Sequence, residues 1–222
     1  MSVRFPEPAR RALRRYDGLP ITTRAHVLLR WLSCPFAAVE QEVPTAGSVL
    51  DLGCGHGLLS LYLAATAPGR VVQGVDVDGE KLREARIAAA GFADVTFVDT
   101  PNGWRPTATE QWDGIVIVDM LYLLGRDIAL ELLVSAARSL APGGRLVVKE
   151  IDVQPRWKYQ LALQQERFAT RVAHVTKGNE VDFLPMDELT NALADEGLAV
   201  TQRSIDRWYP HPHALVTADR QR

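Results

Sequence analysis

The sequence predicts an α/β fold in which a doubly wound, mostly parallel sheet of seven strands carries helices on both faces. Strand-like runs alternate with helical segments from residue 47 onwards, and this alternation is typical of parallel sheets covered on both sides. The run WDGIVIVDML (112–121) is apolar on both faces, as a central parallel strand should be. Only about six residues separate the last two strands, which predicts an antiparallel last strand.

The individual elements follow from short apolar runs and from apolar residues at helical spacing. The predicted strands are 48–53, 70–78, 94–99, 112–121, 145–151, 198–206 and 213–218. The predicted helices among them are 58–67, 80–90, 127–141 and 186–196. Pro142-Gly143-Gly144 is expected to end the third of these helices, so that the next strand begins at residue 145.

Two segments fall outside this alternation. Residues 1–46 consist of helical pieces broken at Pro20 and Pro35, and they form a predicted N-terminal helical lid ahead of a main domain at 47–222. Residues 155–176 have helical spacing and form a predicted inserted helix. Each segment could cover the sheet edge where ligands bind, or pack against an outer face instead. The candidate lid residues are Tyr16, Arg24, His26 and Arg30, for which a solvated helix face is the alternative.

Composition indicates an ordinary globular protein of one domain. The chain has 222 residues, of which 47% are apolar and 23% charged. Its formal net charge of −2 gives no electrostatic reason to expect a nucleic-acid partner. No apolar run reaches membrane-spanning length. Two cysteines, Cys34 and Cys54, are too few for a disulfide framework, so we expect a reduced, cytoplasmic compartment.

Three glycines follow the first predicted strand within LDLGCGHG, at Gly53, Gly55 and Gly57. Glycine permits a tight turn and a close approach of the backbone to a ligand. The spacing is G-x-G-x-G, whereas a dinucleotide-binding loop would have its third glycine where this chain has Leu58. Asp51 precedes the glycines, and an acid there suits the cationic end of a ligand better than a pyrophosphate. These differences argue against an NAD-dependent oxidoreductase.

Acidic residues also end the next three predicted strands, at Asp76, Asp99 and Asp119. The carboxyl ends of parallel strands meet at one edge, so these side chains should lie along the ligand-binding edge. Asp76 follows the glycine loop by about 20 residues, the offset at which an acid can accept both hydroxyls of a ribose. Asp99 is placed to accept from an adenine amino group. A strand-end Asp can also be a plain helix cap, but four acids beside a glycine loop favour a ligand site.

These residues lie in segments that carry a family resemblance. VLDLGCGHG, GVDVD, VTFVD, WDGIVIVDMLYLL and LAPGGRLVVKE follow in this order over roughly residues 47–151. In that order they resemble the successive motifs of class I, Rossmann-like S-adenosylmethionine-dependent methyltransferases, of the type that acts on small molecules. The resemblance implies that S-adenosylmethionine is the cofactor. It also implies that the last strand inserts antiparallel between the fifth and sixth strands.

The resemblance further implies roles for particular residues. The loop from Asp51 to Gly57 would wrap the methionine part of the cofactor. Asp76, with the adjacent Val77, would hold the ribose. Asp99 and Thr100 would flank the adenine, and Asp119 would begin the segment nearest to the methyl group.

The absence of certain motifs excludes some classes of methyl acceptor. Methylation of planar amino groups in nucleic acids usually goes with an N/D-P-P-Y segment, where this chain has DMLY (119–122). Carbon-5 methylation of pyrimidines needs a thiolate nucleophile, and neither Cys34 nor Cys54 is placed like one. We therefore expect a small or medium-sized organic acceptor, with O-methylation slightly preferred because histidine bases are available. The alternatives are an RNA or protein acceptor, or a non-catalytic S-adenosylmethionine-binding protein.

The candidate catalytic residues are His211, His213 and Tyr122. Both histidines lie in RWYPHPHALV (207–216), on a predicted rim loop, and histidine can act as a general base near neutral pH. A rigid turn is the alternative for this loop. No metal site is predicted, because two histidines supply fewer ligands than a metal site needs. Tyr122 could hydrogen-bond a ligand or only pack. Lys149 and Glu150 could contact the acceptor, or form a salt bridge or a solvated strand end.

Overall fold

A computed structural model describes residues 5–152, 183–205, 209 and 212–222. The strands among them are β1 (Ala46–Leu52), β2 (Gly69–Asp76), β3 (Val95–Asp99), β4 (Trp112–Val118), β5 (Leu140–Ile151), β6 (Ala199–Ser204) and β7 (His213–Asp219). The helices are α1 (Glu7–Arg14), α2 (Ile21–Ser33), α3 (Phe36–Glu40), α4 (Leu58–Thr66), α5 (Gly79–Ala89), α6 (Arg126–Arg138) and α7 (Met186–Asp195), with a 3-10 turn at Leu121–Leu123. The predicted inserted helix at 155–176 lies outside the described residues.

The strands form one sheet in the order β3-β2-β1-β4-β5-β7-β6. β1 and β3 pair in parallel with β2, which brings Leu52 opposite Val75 and Asp76 opposite Asp99. β7 pairs antiparallel with both β5 and β6, so the predicted insertion of the last strand is confirmed. The order reverses at β1, and ligands of open α/β sheets bind beside the strand ends at such a point.

The chain divides into two compact units. The first comprises Met1–Trp104 and Trp112–Val116, and the second comprises Arg105–Gln111 and Ile117–Arg222. None of the helices that the structure describes combines the length and apolar character needed to cross a membrane.

Arg70 attaches the N-terminal segment to the sheet in the first unit. Its side chain is fully buried at the start of β2 and forms an ion pair with Glu40 at 2.9 Å. The guanidinium also donates to the carbonyl oxygens of Val43 and Pro44, at 2.8 and 2.7 Å. A buried charge needs such a full set of partners. The predicted helix breaks are present, since α2 follows Pro20 and α3 follows Pro35.

In the second unit, α6 packs against α7 and β5, and α7 packs against β6 and β7. The predicted start of β5 at residue 145 is wrong, because the strand already begins at Leu140 and the preceding helix ends at Arg138. The extension is held by backbone hydrogen bonds from Gly143 to the oxygen of Arg220 and from Arg220 to the oxygen of Gly144. Pairing with the chain after β7 therefore overrides the turn preference of the Pro-Gly-Gly segment.

Candidate functional site

The glycine loop after β1 has a backbone shape that requires glycine. Gly53, Gly55 and Gly57 have φ values of 72°, 54° and 76°, in the left-handed region that other residues rarely adopt. A Cβ atom on Gly57 would also lie 2.3 Å from Cζ of Phe97. The amides of Gly53 and Cys54 donate to the carbonyl of Val75, at 2.9 and 3.1 Å. The loop is thereby fastened to the end of β2.

Asp76, the last residue of β2, holds the same loop through its carboxylate. Oδ2 accepts from the amide of Gly55 at 2.8 Å, and Oδ1 accepts from the amide of Asp78 at 2.8 Å. Each carboxylate oxygen has a further lone pair with which it can accept from a ligand hydroxyl. The arrangement therefore fits the predicted ribose contact, because a carboxylate is fixed beside a loop without side-chain obstruction.

Three other predicted cofactor residues lie next to Asp76. Val77 follows it and is half exposed, which leaves an apolar surface beside the carboxylate. The amide of Thr100 donates to the carbonyl of Asp76 at 3.0 Å. Asp99 is also largely exposed, and its Oδ2 accepts from Arg86 at 2.5 Å. The structure thus brings the four predicted residues of this edge together, and it adds Arg86, which sequence reasoning missed.

Asp51 differs from the other acids because its side chain is buried. Its Oδ2 accepts from the hydroxyl of Ser60 at 2.5 Å. Burial raises the pKa of Asp51 to about 7, against the opposing effect of the Ser60 hydrogen bond. Neighbouring Cys54 is also largely buried, and burial raises the pKa of its thiol well above the usual value. A reactive thiolate is therefore disfavoured there.

The N-terminal segment contacts the glycine loop at His56. The hydroxyl of Tyr16 donates to the carbonyl of His56 at 2.6 Å. Nε2 of His56 lies 3.2 Å from Oε2 of Glu84, which also accepts from the hydroxyl of Thr23 at 2.8 Å. The rings of His26 and His56 are 4.8 Å apart. Sequence reasoning missed His56 and Glu84, although the position of His56 inside the loop was an available signal.

Burial disfavours the protonated form of both histidines. Burial lowers the pKa of His26 to about 4, and the nearby His56 lowers it further. Burial also lowers the pKa of His56, although Glu84 opposes the shift. His26 and Arg30 are partly exposed and Arg24 is exposed, whereas Tyr16 is buried, and the lid role of these residues stays a prediction.

In the second unit, a buried ion pair stands where β4 and β5 end. Nζ of Lys149 donates to Oδ1 of Asp119, and both side chains are almost completely buried. The amide of Asp119 also donates to the carbonyl of Lys149 at 3.0 Å. Asp119 has a φ of 52°, which is unusual for a residue other than glycine and typical of functional sites.

Glu150 lies beside this pair and is also buried. Its Oε1 accepts from the amides of Met120 and Leu121, at 3.0 and 2.8 Å. Burial raises the pKa of Glu150, and the negative charge of Asp119 raises it further. A carboxyl group with such a raised pKa can exchange a proton near neutral pH. The alternative of a solvated strand end is therefore wrong for Lys149 and Glu150, since both are buried.

The predicted catalytic residues lie in separate surroundings within this unit. Tyr122 is buried, and its ring stacks on Phe183 at 4.9 Å. His213 begins β7 opposite Ile151, is buried, and contacts the ring of Tyr209 edge-on at 5.3 Å. His211 lies outside the described residues. The roles of all three stay predictions.

Pro212, which directly precedes β7, lies beside the end of β5, because the amide of Asp152 donates to its carbonyl at 2.6 Å. No group of three or more His, Cys, Asp or Glu side chains within the described ranges could hold a metal ion.

Strand order, glycine loop and strand-end carboxylates together define a class I methyltransferase fold. The sequence matches the family described as a methyltransferase domain over residues 49–144. It is 33% identical over 178 residues to a demethylmenaquinone methyltransferase of Tropheryma whipplei (strain Twist), covering 74% of this chain and 72% of that protein. The chain therefore belongs to the class I S-adenosylmethionine-dependent methyltransferases, and its cofactor is S-adenosylmethionine.

Two further likenesses are more distant. A ribosomal protein L11 methyltransferase of Burkholderia mallei (strain NCTC 10229) is 30% identical over 155 residues, which cover 66% of this chain and 45% of that protein. An O-methyltransferase family protein from Burkholderia thailandensis has the same fold with a TM-score of 0.69 and 22% identity, covering 94% of this chain and 62% of that one.

Proposed function

We propose that this methyltransferase acts on a small or medium-sized organic acceptor, with O-methylation slightly preferred. The observation that carries the proposal is the buried group of Asp119, Lys149 and Glu150 at the ends of β4 and β5. A hydroxyl acceptor loses its proton during the reaction, and a positioned acid–base group assists that step. Glu150, whose pKa is raised by burial, is a candidate to take this proton.

The cofactor contacts that we propose lie in the first unit. S-adenosylmethionine supplies a methyl group bound to a positively charged sulfur. The carboxylate of Asp76 would accept hydrogen bonds from the ribose, and the exposed side chain of Val77 would cover an apolar part of the nucleoside. Asp99 and Thr100 would hold the adenine, and the loop from Asp51 to Gly57 would enclose the methionine part. Support comes from the glycine conformations and from the hydrogen bonds that two backbone amides donate to the carboxylate of Asp76.

The acceptor-side contacts that we propose lie in the second unit. Asp119 would border the reacting groups while Lys149 holds its carboxylate in place. The further candidates for a proton acceptor are His213 and His211, and Tyr122 is the candidate hydrogen-bond donor. Because in-line methyl transfer depends strongly on alignment, the burial of Asp119, Lys149 and Glu150 would contribute to the rate.

A small-molecule acceptor is supported by the relative that is named for demethylmenaquinone, which is 33% identical to this chain. A protein acceptor is the second candidate, because another relative is named for ribosomal protein L11. A net charge of −2 supports neither RNA nor DNA as an acceptor. We also propose a cytoplasmic location, which rests on the two free thiols of Cys34 and Cys54.

The experiment incubates the protein with methyl-labelled S-adenosylmethionine and a panel of acceptors. The panel contains demethylmenaquinone, catechols, phenols, amines, thiols, ribosomal protein L11 and bulk RNA, and the product is identified by mass spectrometry. We expect label on a hydroxyl of a small molecule. Label on L11 or RNA alone would overturn the proposed acceptor class.

A matched pair of variants tests the proposed proton acceptor. Glu150→Gln keeps an oxygen for the amides of Met120 and Leu121 but cannot take a proton. We expect kcat to fall about a hundredfold and its pH dependence to change, with unaltered affinity for S-adenosylhomocysteine. The control is Glu196→Gln, which removes a carboxylate from an exposed ion pair with Arg138 in the same unit. Equal kcat in both variants would exclude Glu150 from this role.

A further inference from the structure

The outer side of α2 is an exposed apolar surface. Ile21 and Leu29 expose 72% and 65% of their surface, and Leu28 and Leu32 are exposed as well. These four positions lie on one face of the helix because their spacing follows the helical period. Single exposed apolar residues need no explanation, whereas a continuous apolar patch marks an interaction site.

The inner side of the same helix carries polar side chains beside the buried Val27, and Trp31 packs against the ring of Tyr62. Thr23 donates to Glu84 at 2.8 Å, and the ring of His26 lies 4.8 Å from that of His56. A surface helix usually directs its apolar face to the core and its polar face to water. α2 departs from this pattern, because Thr23 and His26 face inward while four large apolar side chains face outward. The packing of the first unit therefore does not explain these four outward side chains.

Unpaired arginines border this apolar surface. A cavity of about 420 Å³ is lined by Phe5 ahead of α1 and by residues of α1, α2 and their connection, among them Leu13, Ile21 and Leu28. Its lining also contains Arg10, Arg14 and Arg24, against the single acid Asp17. Within the part of the chain that the structure describes, these three guanidinium groups make no side-chain hydrogen bond or ion pair.

We propose that this surface, formed by Ile21, Leu28, Leu29 and Leu32 with the three arginines, binds an anionic lipid bilayer. A bilayer interface accepts projecting apolar side chains, and its negative headgroups attract neighbouring arginines. A second copy of the chain is a poorer occupant. A symmetric dimer would bring the same patch of both copies together, and with it two sets of arginines of like charge.

The experiment measures co-sedimentation of the full chain with vesicles. One set contains equal parts of phosphatidylglycerol and phosphatidylcholine, and the other contains phosphatidylcholine alone. We expect about hundredfold tighter binding to the anionic vesicles, since each arginine near such a surface contributes about fivefold. High salt should weaken this preference by screening. Arg10→Gln or Arg24→Gln should each weaken binding about fivefold, and Leu29→Ser about tenfold.

Two substitutions on α5 are matched controls in the same unit. Arg83→Gln removes an exposed arginine, and Ile87→Ser removes a side chain that is 54% exposed. Both should bind vesicles as the parent protein does. The proposal is overturned if the parent binds both vesicle types equally or not at all, or if control and surface variants lose binding equally. Sedimentation velocity that shows a parent dimer and a Leu29→Ser monomer would assign the surface to self-association instead.

Discussion

The carboxylate of Asp76 and the backbone amide of Gly55 form a hydrogen bond of 2.8 Å, which ties the glycine loop to the end of β2. The second oxygen of the same carboxylate accepts from the amide of Asp78, the residue that caps α5. One side chain therefore fixes the shape of the loop and the start of the next helix. It does so while keeping lone pairs for a ligand.

Replacing Asp76 with alanine should weaken binding of S-adenosylhomocysteine about tenfold to a hundredfold, since hydrogen bonds to a charged group are lost. Isothermal titration calorimetry measures this affinity. Asp94→Ala, which removes an exposed carboxylate ahead of β3, is the control and should bind normally. If Asp76→Ala binds as tightly as the control, the ribose assignment is wrong.

Sequence reasoning was most successful where a pattern has one physical cause. The glycine loop could be predicted because only glycine readily tolerates the φ of 76° at residue 57. The place of the last strand followed from family resemblance. By contrast, the burial of Lys149 could not be predicted, because its charge suggests solvent and its partner Asp119 is distant in sequence. The extension of β5 to Leu140 depends likewise on pairing with the chain after β7.

Gly57→Ala should lower the free energy of unfolding by about 3 kcal/mol or more, because strain at positive φ adds to overlap with Phe97. Urea titration followed by circular dichroism measures the change. Gly103→Ala is the matched control, since Gly103 also has a positive φ of 82° but nothing within 4 Å of the added Cβ. The Gly103→Ala control should lower the free energy of unfolding by only about 1 kcal/mol. Equal losses in the two variants would show that Phe97 does not constrain the loop.

Asp51 should make stability depend on pH. Its pKa is about 7 in the folded protein but about 4 in the unfolded chain, so the folded state binds more protons between these values. Its contribution to the free energy of unfolding is therefore present below pH ~4 and is lost as the pH rises to ~7, with a slope of up to about 1.4 kcal/mol per pH unit. Urea titrations across this range measure the slope.

Two variants separate this effect from other titrating groups. Asp51→Asn can still accept from Ser60 but carries no charge, so its slope should be smaller than that of the parent. Ser60→Ala removes the hydrogen bond that lowers the pKa of Asp51. The pH range over which stability falls should therefore extend to higher pH in this variant. Parallel curves for the parent and Asp51→Asn would contradict the assignment.

His213→Gln and His211→Gln test whether the turn ahead of β7 supplies a general base. His213 lies at the end of β5 opposite Ile151, and its backbone oxygen accepts from Ile205 at 2.8 Å, a bond that the substitution preserves. If either histidine takes the acceptor proton, its variant should lose about 10²–10⁴-fold in kcat and the corresponding limb of the pH–rate profile. Affinity for S-adenosylhomocysteine should stay unchanged.

The readouts distinguish catalysis from packing at this turn. The buried ring of His213 contacts the ring of Tyr209 at 5.3 Å, so a packing role would lower the free energy of unfolding without altering the pH–rate profile. Tyr209→Phe keeps an aromatic ring at that contact and removes only the hydroxyl, which makes it the control for this turn. Parental kcat in both histidine variants would leave the segment as a rigid connection between β6 and β7, because a base that accepts the proton cannot be replaced by glutamine without loss of rate.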